Sequence, residues 1–264
     1  MNLDFVLSKM DAEPTEPVRY YLDTGTDFII VNELLQKNIK IIHTGYECKI
    51  CGSDEPIFRM GMCKKCYFES PQAGDWIVHP ELSKAHEGVE DRDLEFEKKM
   101  QLQPHYVYLA KTSGIKVGVT RQSQVPNRWI DQGADEALVI LETPNRYLAG
   151  ITEVALKAHV SDKTGWRQML TEQISPGNLF EVFEMLKPYI PAETQPYILE
   201  KPLWYKFKYP VVSYPPKVSS IKLDKQKEYE GKLTGIKGQY LIFEDGKVLN
   251  VRNHEGYMVK MEVK

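Results

Sequence analysis

The four cysteines of this 264-residue chain fall within 19 residues as two Cys-x-x-Cys pairs, CKIC with Cys48 and Cys51 and CKKC with Cys63 and Cys66. Each pair can present two thiolates to one tetrahedral ion at about 2.3 Å, and four thiolates close the coordination sphere, leaving no position for a reacting water. The expected chemistry is therefore a structural Zn2+ site. Gly52 follows the first pair and Gly61 precedes the second, where tight knuckles need backbone freedom. Thiolates alone do not choose the metal, so an iron–sulfur cluster is the alternative. A redox dithiol would instead place a single pair at the start of a helix beside a βαβ unit. With no cysteine elsewhere, a disulfide framework is excluded.

A second group of reactive types lies between His105 and Glu153. Glu153 stands between Ile151 and Val154-Ala155 in an apolar helix pattern, where a carboxylate is costly unless it is exposed, paired or bound to a cation. Tyr106 and Tyr108 share one strand face and can equally be half-buried aromatics with wetted hydroxyls. Lys116 can be a solvent-facing hairpin residue, and Arg128 can merely stack on Trp129. The elements that must position these residues are legible. YVYLA, a Thr112-Ser113-Gly114 turn and IKVGVT have hairpin spacing; helix-like PNRWIDQGADEA and the strand ALVILE follow; Leu148, Ile151, Val154, Ala155 and Ala158 mark a helix over about 145–159. The order is β-β-α-β-α, and a further helix over about 177–186 reads as packing.

Tyr106-Val-Tyr108, Lys116-Val-Gly118-Val-Thr120-Arg121, Arg128 and Glu153, in that order of elements, resemble the GIY-YIG nuclease superfamily over about residues 104–170. The resemblance implies a divalent-metal-dependent endonuclease. The tyrosine of its first motif falls on Tyr108, and the tyrosine of its second falls on Lys116, a departure shared by some members. Its helix arginine falls on Arg128 and its metal-binding glutamate on Glu153, which would hold Mg2+ or Mn2+. In such enzymes the ion polarises the phosphate, a tyrosine or lysine-assisted base activates water, and the arginine neutralises developing charge. Tyr106, Arg121, Asn145, Arg146 and His105 are accessory candidates, and the phrase Asp162-Lys163-Thr164-Gly165-Trp166-Arg167 belongs near the end of the same core. The whole chain is similar to a bacterial family of unknown function in which a four-cysteine knuckle precedes such a core, with phrases such as GDW, PELSKAHEGVEDRDLE, QLQPH and GIKVGVTR.

His79 and His86, followed by Glu87, Glu90, Asp91 and Asp93, are ligand types for a second metal, but their spacing matches no metal motif. Capping, hydrogen bonding or solvent exposure is the commoner role. The expected organisation is α+β: a β-rich segment (1–47), a zinc knuckle (48–70), an acidic connector (71–103), the GIY-YIG-like core (104–190), and a Pro/aromatic wrap leading into a small β-barrel or sheet built from the chain ends (191–264). Turns at Lys237-Gly238, Asp245-Gly246 and Glu255-Gly256 divide the last forty residues into about four strands.

The net charge of −3 excludes a polybasic binder but is unevenly spread: residues 1–100 carry 12 Lys/Arg against 19 Asp/Glu, whereas 195–264 carry 13 against 8. A polyanion would find its attraction towards the C-terminal end. Trp204, Tyr205, Phe207 and Tyr209 interleave there with Lys206 and Lys208, a pattern that fits base stacking and core packing equally. No leader-like start and no membrane-length apolar run is present, so a soluble cytoplasmic protein is expected. The leading functional expectation is a nucleic-acid-directed endonuclease. The alternatives are a non-catalytic zinc-containing nucleic-acid-binding or RNA-processing partner module, and an enzyme on another substrate that uses the His79–Glu97 segment.

Overall fold

The structure is a computed structural model that describes residues 2–160 and 165–264; Asp162, Lys163 and Thr164 of the phrase singled out above lie outside the described residues. The fold is α+β, with four sheets and a four-cysteine cluster.

The central sheet is antiparallel, in the order Ile198–Lys206, Glu136–Thr143, His105–Lys111, Ile115–Arg121. His105–Lys111 is buried on both faces, which is why its sequence carries an apolar run rather than alternation. On one face Val107 and Leu109 pack with Leu138 and Ile140 beneath the helices Arg146–Lys157 and Leu179–Leu186. On the other, Tyr106, Tyr108 and Ala110 surround the fully buried Trp129 of the short helix Asn127–Asp131. The long helix begins where expected because the Asn145 side chain accepts from the Leu148 amide at 2.9 Å, satisfying one of the amides a helix start leaves unpaired.

Part of the Pro/aromatic stretch is a sheet strand. Its Ile198–Lys206 segment completes the central sheet as an edge strand with an irregular register across Pro202, a setting that tolerates proline. Tyr205 lies on Trp129 with ring centroids 4.7 Å apart, Phe207 lies 6.4 Å away, and the Tyr209 hydroxyl donates to the Ala134 carbonyl at 2.6 Å. Covering Trp129 needs these rings, so core packing claims three of the four aromatics considered for stacking, and Trp204 alone is exposed.

The chain ends share a seven-stranded sheet, ordered Asn2–Val6, Tyr257–Val263, Asn38–Tyr46, Glu228–Lys237, Tyr240–Phe243, Lys247–Asn250, Ser219–Ser220. Buried Ile39, Ile41 and His43 alternate with outward Lys40 and Ile42, the period-two pattern of a half-buried strand. A polar seam joins this body to the central sheet. Lys237, wholly buried, donates to Asp135 at 2.7 Å, and Asp131 receives Lys9 at 2.8 Å and Gln239 at 2.9 Å, so the buried ammonium is compensated. Among the described residues no helix is long and apolar enough to cross a membrane.

Candidate functional site

The knuckle is built locally. Gly52 at φ +69° lets its amide reach back to the Cys48 carbonyl at 2.8 Å, and Met60 (φ +55°) with Gly61 (φ +73°) turns the Ile57–Arg59 strand back into Met62–Cys63. Two successive positive φ values are what a two-residue hairpin turn requires. The helix Lys64–Glu69 then brings in Cys66. The four sulfur atoms lie within 4.8 Å of one another, with Cys51 and Cys63 at 3.9 Å, close to the ~3.8 Å edge of a tetrahedron with 2.3 Å metal–sulfur bonds. Burial works against ionisation of Cys48, but backbone amides of Cys51, Cys63 and Ile50 outweigh it and hold the thiol at about 6. Burial and the neighbouring thiols push Cys66 up to about 12. The Ser53 hydroxyl and amide lower Cys51 as well, so the cluster ionises in part by itself and needs a cation to hold four thiolates, the behaviour of a donor set suited to a soft or borderline metal ion such as zinc.

A second site lies at the open edge of the central sheet, along Ile115–Arg121. A cleft of about 150 Å3 is lined by Tyr108, Lys116, Arg128, Arg146 and Glu153, with Gln132 between them. Tyr108 faces its register partner Gly118, and a Cβ there would sit 2.6 Å from the tyrosine hydroxyl; glycine is what lets the phenol reach the edge. The guanidinium of Arg128 only donates, so the Gln132 amide oxygen belongs on its side, accepting from Nε at 3.2 Å and Nη2 at 3.3 Å while the amide nitrogen donates to Tyr108 Oη at 3.2 Å. This chain orients Tyr108 and Arg128 together and leaves the phenol proton available to a group in the cleft.

Glu153 is 7% exposed and pairs with Lys157 one turn on, at 3.2 Å. Its buried carboxylate therefore meets the requirement for compensation stated by its apolar surroundings. Arg146 is committed in part to structure: Nε donates to the Trp76 carbonyl at 3.0 Å and Nη2 to that of Ile77 at 2.8 Å, with the guanidinium above the Trp76 ring. Burial, opposed by the charge of Glu153, lowers it to about 10.

The remaining accessory residues do not reach the cleft lining. Tyr106 Oη accepts from Gln122, Arg121 donates to the Met100 sulfur, and Asn145 caps its helix. His105 is fully buried, with Nδ1 2.7 Å from the Gln103 carbonyl; burial lowers it to about 4, so the imidazole is neutral near pH 7.

Sequence reasoning missed the opposite wall. Ile77, Val78 and Pro80 of the connector close the cleft because Gly150 admits them: a Cβ on Gly150 would lie 2.3 Å from the Glu81 amide nitrogen and 2.4 Å from the Pro80 carbonyl carbon. A glycine inside an otherwise good helix was the available signal. Gln132 was also missed, although its position four residues after Arg128 puts both on one helix face. The connector's acidic groups serve its own fold. Glu97, 1% exposed, accepts from the amides of Asp91, Arg92 and Asp93 at 2.7–3.0 Å, and Arg92 donates to the carbonyls of Tyr67 and Ser70. His79 pairs with Glu81 at 3.5 Å and His86 stacks on Tyr147, so the two histidines are not drawn into one donor set. Among the described residues the four cysteines are the one group of three or more such side chains with metal-site spacing.

A larger cleft, about 770 Å3, runs beside the Asn2–Val6 edge; Asp4, Asp11, Asp23, Glu47 and Glu255 line it, making it hostile to a polyanion.

A search of curated proteins and one of solved structures return no match. The family model described as "Protein of unknown function (DUF2797)" matches residues 36–259, spanning the knuckle, the connector, the cleft and most of the seven-stranded sheet. The chain belongs to the DUF2797 family.

Proposed function

We propose that this protein is a divalent-metal-dependent endonuclease with a GIY-YIG-type centre and a structural zinc ion. The observation that carries the reading is the convergence of Tyr108, Lys116, Arg128 and Glu153, from four different elements, on one small cleft over Gly118. A lysine, an arginine and a buried glutamate around a phenol suit a phosphodiester, whose hydrolysis develops charge on phosphoryl oxygens.

Glu153 is the residue that would hold Mg2+ or Mn2+; when bound, the ion polarises a phosphate oxygen and lowers the pKa of water. Arg128 and Lys116 draw the phosphodiester into the cleft and neutralise its oxygens. Tyr108, fixed by Gln132, acts as general base: its hydroxyl proton passes to solvent or a group in the cleft, and its oxygen then takes the proton of the attacking water. As water oxygen bonds to phosphorus, the bond to the leaving ribose oxygen breaks, and that oxygen leaves with a proton from solvent or a cleft donor. The connector wall limits access by bulk water.

The Glu153–Lys157 ion pair favours a second reading, in which a lysine has taken the place of the catalytic metal and the cleft only binds a phosphate backbone. A labelled panel of single-stranded, duplex, branched and transfer-RNA substrates, incubated with Mg2+ or Mn2+ beside Glu153→Gln and Arg128→Ala variants, separates the two. Metal-dependent cleavage lost in both folded variants supports hydrolysis. Salt-sensitive binding without cleavage assigns the binding module instead.

A further inference from the structure

The knuckle carries more than its metal site requires. Phe58, Tyr67 and Phe68 form a ring cluster with centroids 5.2–5.7 Å apart, yet Phe58 is 43% and Phe68 57% exposed. Burying a phenylalanine is among the larger stabilising contributions a side chain can make, so two outward rings on so small an element forgo much of what could stabilise it. The Arg59 guanidinium lies over Phe58 at 5.5 Å and over Tyr67 at 6.0 Å, which leaves one edge of the cluster cationic. The adjoining Met60 holds φ +55°, an uncommon conformation for a residue without a short polar side chain, so the hairpin tip bearing these groups is kept against a local preference.

From this cluster a groove of about 430 Å3 runs across to the last strand of the chain. Lys49, Arg59 and Arg252 supply three cations to it against the single carboxylate of Glu255, with Asn253 and Tyr257 beyond. The excess is local, because the front half of the chain is acidic overall. Half-exposed rings beside a cationic groove are complementary to the two parts of a nucleic-acid strand: bases stack without regard to sequence, and the backbone follows the charge. A duplex keeps its bases stacked on each other and offers no face to the rings. An apolar protein surface could cover the phenylalanines but would bury the three cations without partners.

We infer that this face of the knuckle binds single-stranded nucleic acid, with Phe58 and Phe68 stacking on bases and Arg59, Lys49 and Arg252 holding the phosphates. The inference rests on the nucleic-acid reading of the cleft for its class of ligand, and not on hydrolysis. Arg92 ties the knuckle backbone at Tyr67 and Ser70 to the connector that walls the cleft, so a strand held here is held on a surface fixed relative to the site.

The test uses the whole 264-residue chain loaded with zinc and carrying Glu153→Gln, without added Mg2+, so that cleavage cannot confuse binding. Fluorescence anisotropy with a labelled oligothymidylate, an oligouridylate and a duplex is read across a salt series. Phe58→Ala with Phe68→Ala is expected to weaken single-strand binding at least about tenfold with zinc content and circular dichroism unchanged. Arg59→Ala with Arg252→Ala is expected to lower the slope of log affinity against log salt by about 1.4. Unchanged affinity in both pairs, or preference for the duplex, would overturn the inference. So would failure to bind any strand; a self-association, seen by sedimentation, that the two phenylalanine changes abolish would then assign the face to a second copy. Absence of cleavage by the unaltered chain, with this binding intact, would remove the nuclease reading and leave the inference standing.

Discussion

The knuckle gathers four ligand atoms from 19 consecutive residues, whereas the cleft over Gly118 gathers its side chains from a hairpin, a short helix and a long helix, and borrows one wall from the connector. The first is a local donor set suited to an ion, because four thiols at these separations cannot all ionise unaided. The second needs no ion for its assembly: Gln132 orients Tyr108 and Arg128, Lys157 balances Glu153, and Arg146 ties down the connector. The difference teaches that the two sites should fail separately, the knuckle by losing structure and the cleft by losing activity.

The largest expected effect tests the first half of that statement. Cys66→Ser should abolish stoichiometric zinc, measured by plasma emission, and forfeit a metal-binding free energy on the order of 10 kcal/mol that holds the knuckle together. Retained zinc with an unchanged melting profile would show the cluster to be held by packing instead. For the cleft, Glu153→Gln should leave zinc content unaltered and reduce cleavage about 100- to 1,000-fold, or ~2.7–4 kcal/mol in the barrier. Loss of zinc in that variant would break the separation.

Protonation supplies a third contrast, inside the central sheet. His105 titrates at about 4 in the folded chain, below the ordinary value of 6.5, because burial disfavours the imidazolium. The unfolded chain therefore binds the extra proton between pH 6.5 and 4; the contribution is fully present above pH 6.5 and is lost as pH falls towards 4. It amounts to up to about 3 kcal/mol. Urea midpoints taken across that window should fall for the unaltered chain and fall less for His105→Gln. Parallel slopes would remove His105 as the source. The remaining effects are steric. Gly118→Ala should push Tyr108 away, lower cleavage about tenfold and destabilise by about 1–3 kcal/mol, whereas Gly150→Ala, which meets backbone of the connector, should detach that wall and destabilise more, both read by thermal melting. Equal effects of the two on stability would show that the cleft's two sides are one packing unit.

How much was legible follows from the range of the forces involved. The cysteine spacing, the glycines of the knuckle and of the C-terminal turns, the hairpin over Tyr106–Thr120, the helix over about 145–159 and the strands of the last forty residues depend on neighbours within a few residues, so the order of types along the chain determined them. The side chains pointed out by the nuclease resemblance were likewise readable, but their meeting was not, since it depends on Gly118 and Gly150 clearing space for groups distant in sequence. Only tertiary structure decided that Ile198–Lys206 would be an edge strand whose Tyr205 covers Trp129, and which strands of the two chain ends would pair. It also decided that Arg146 would hold a backbone instead of standing free in the cleft. In each case a buried group, a large ring or an unpaired charge, had to find its partner, and a partner in space carries no fixed separation along the chain.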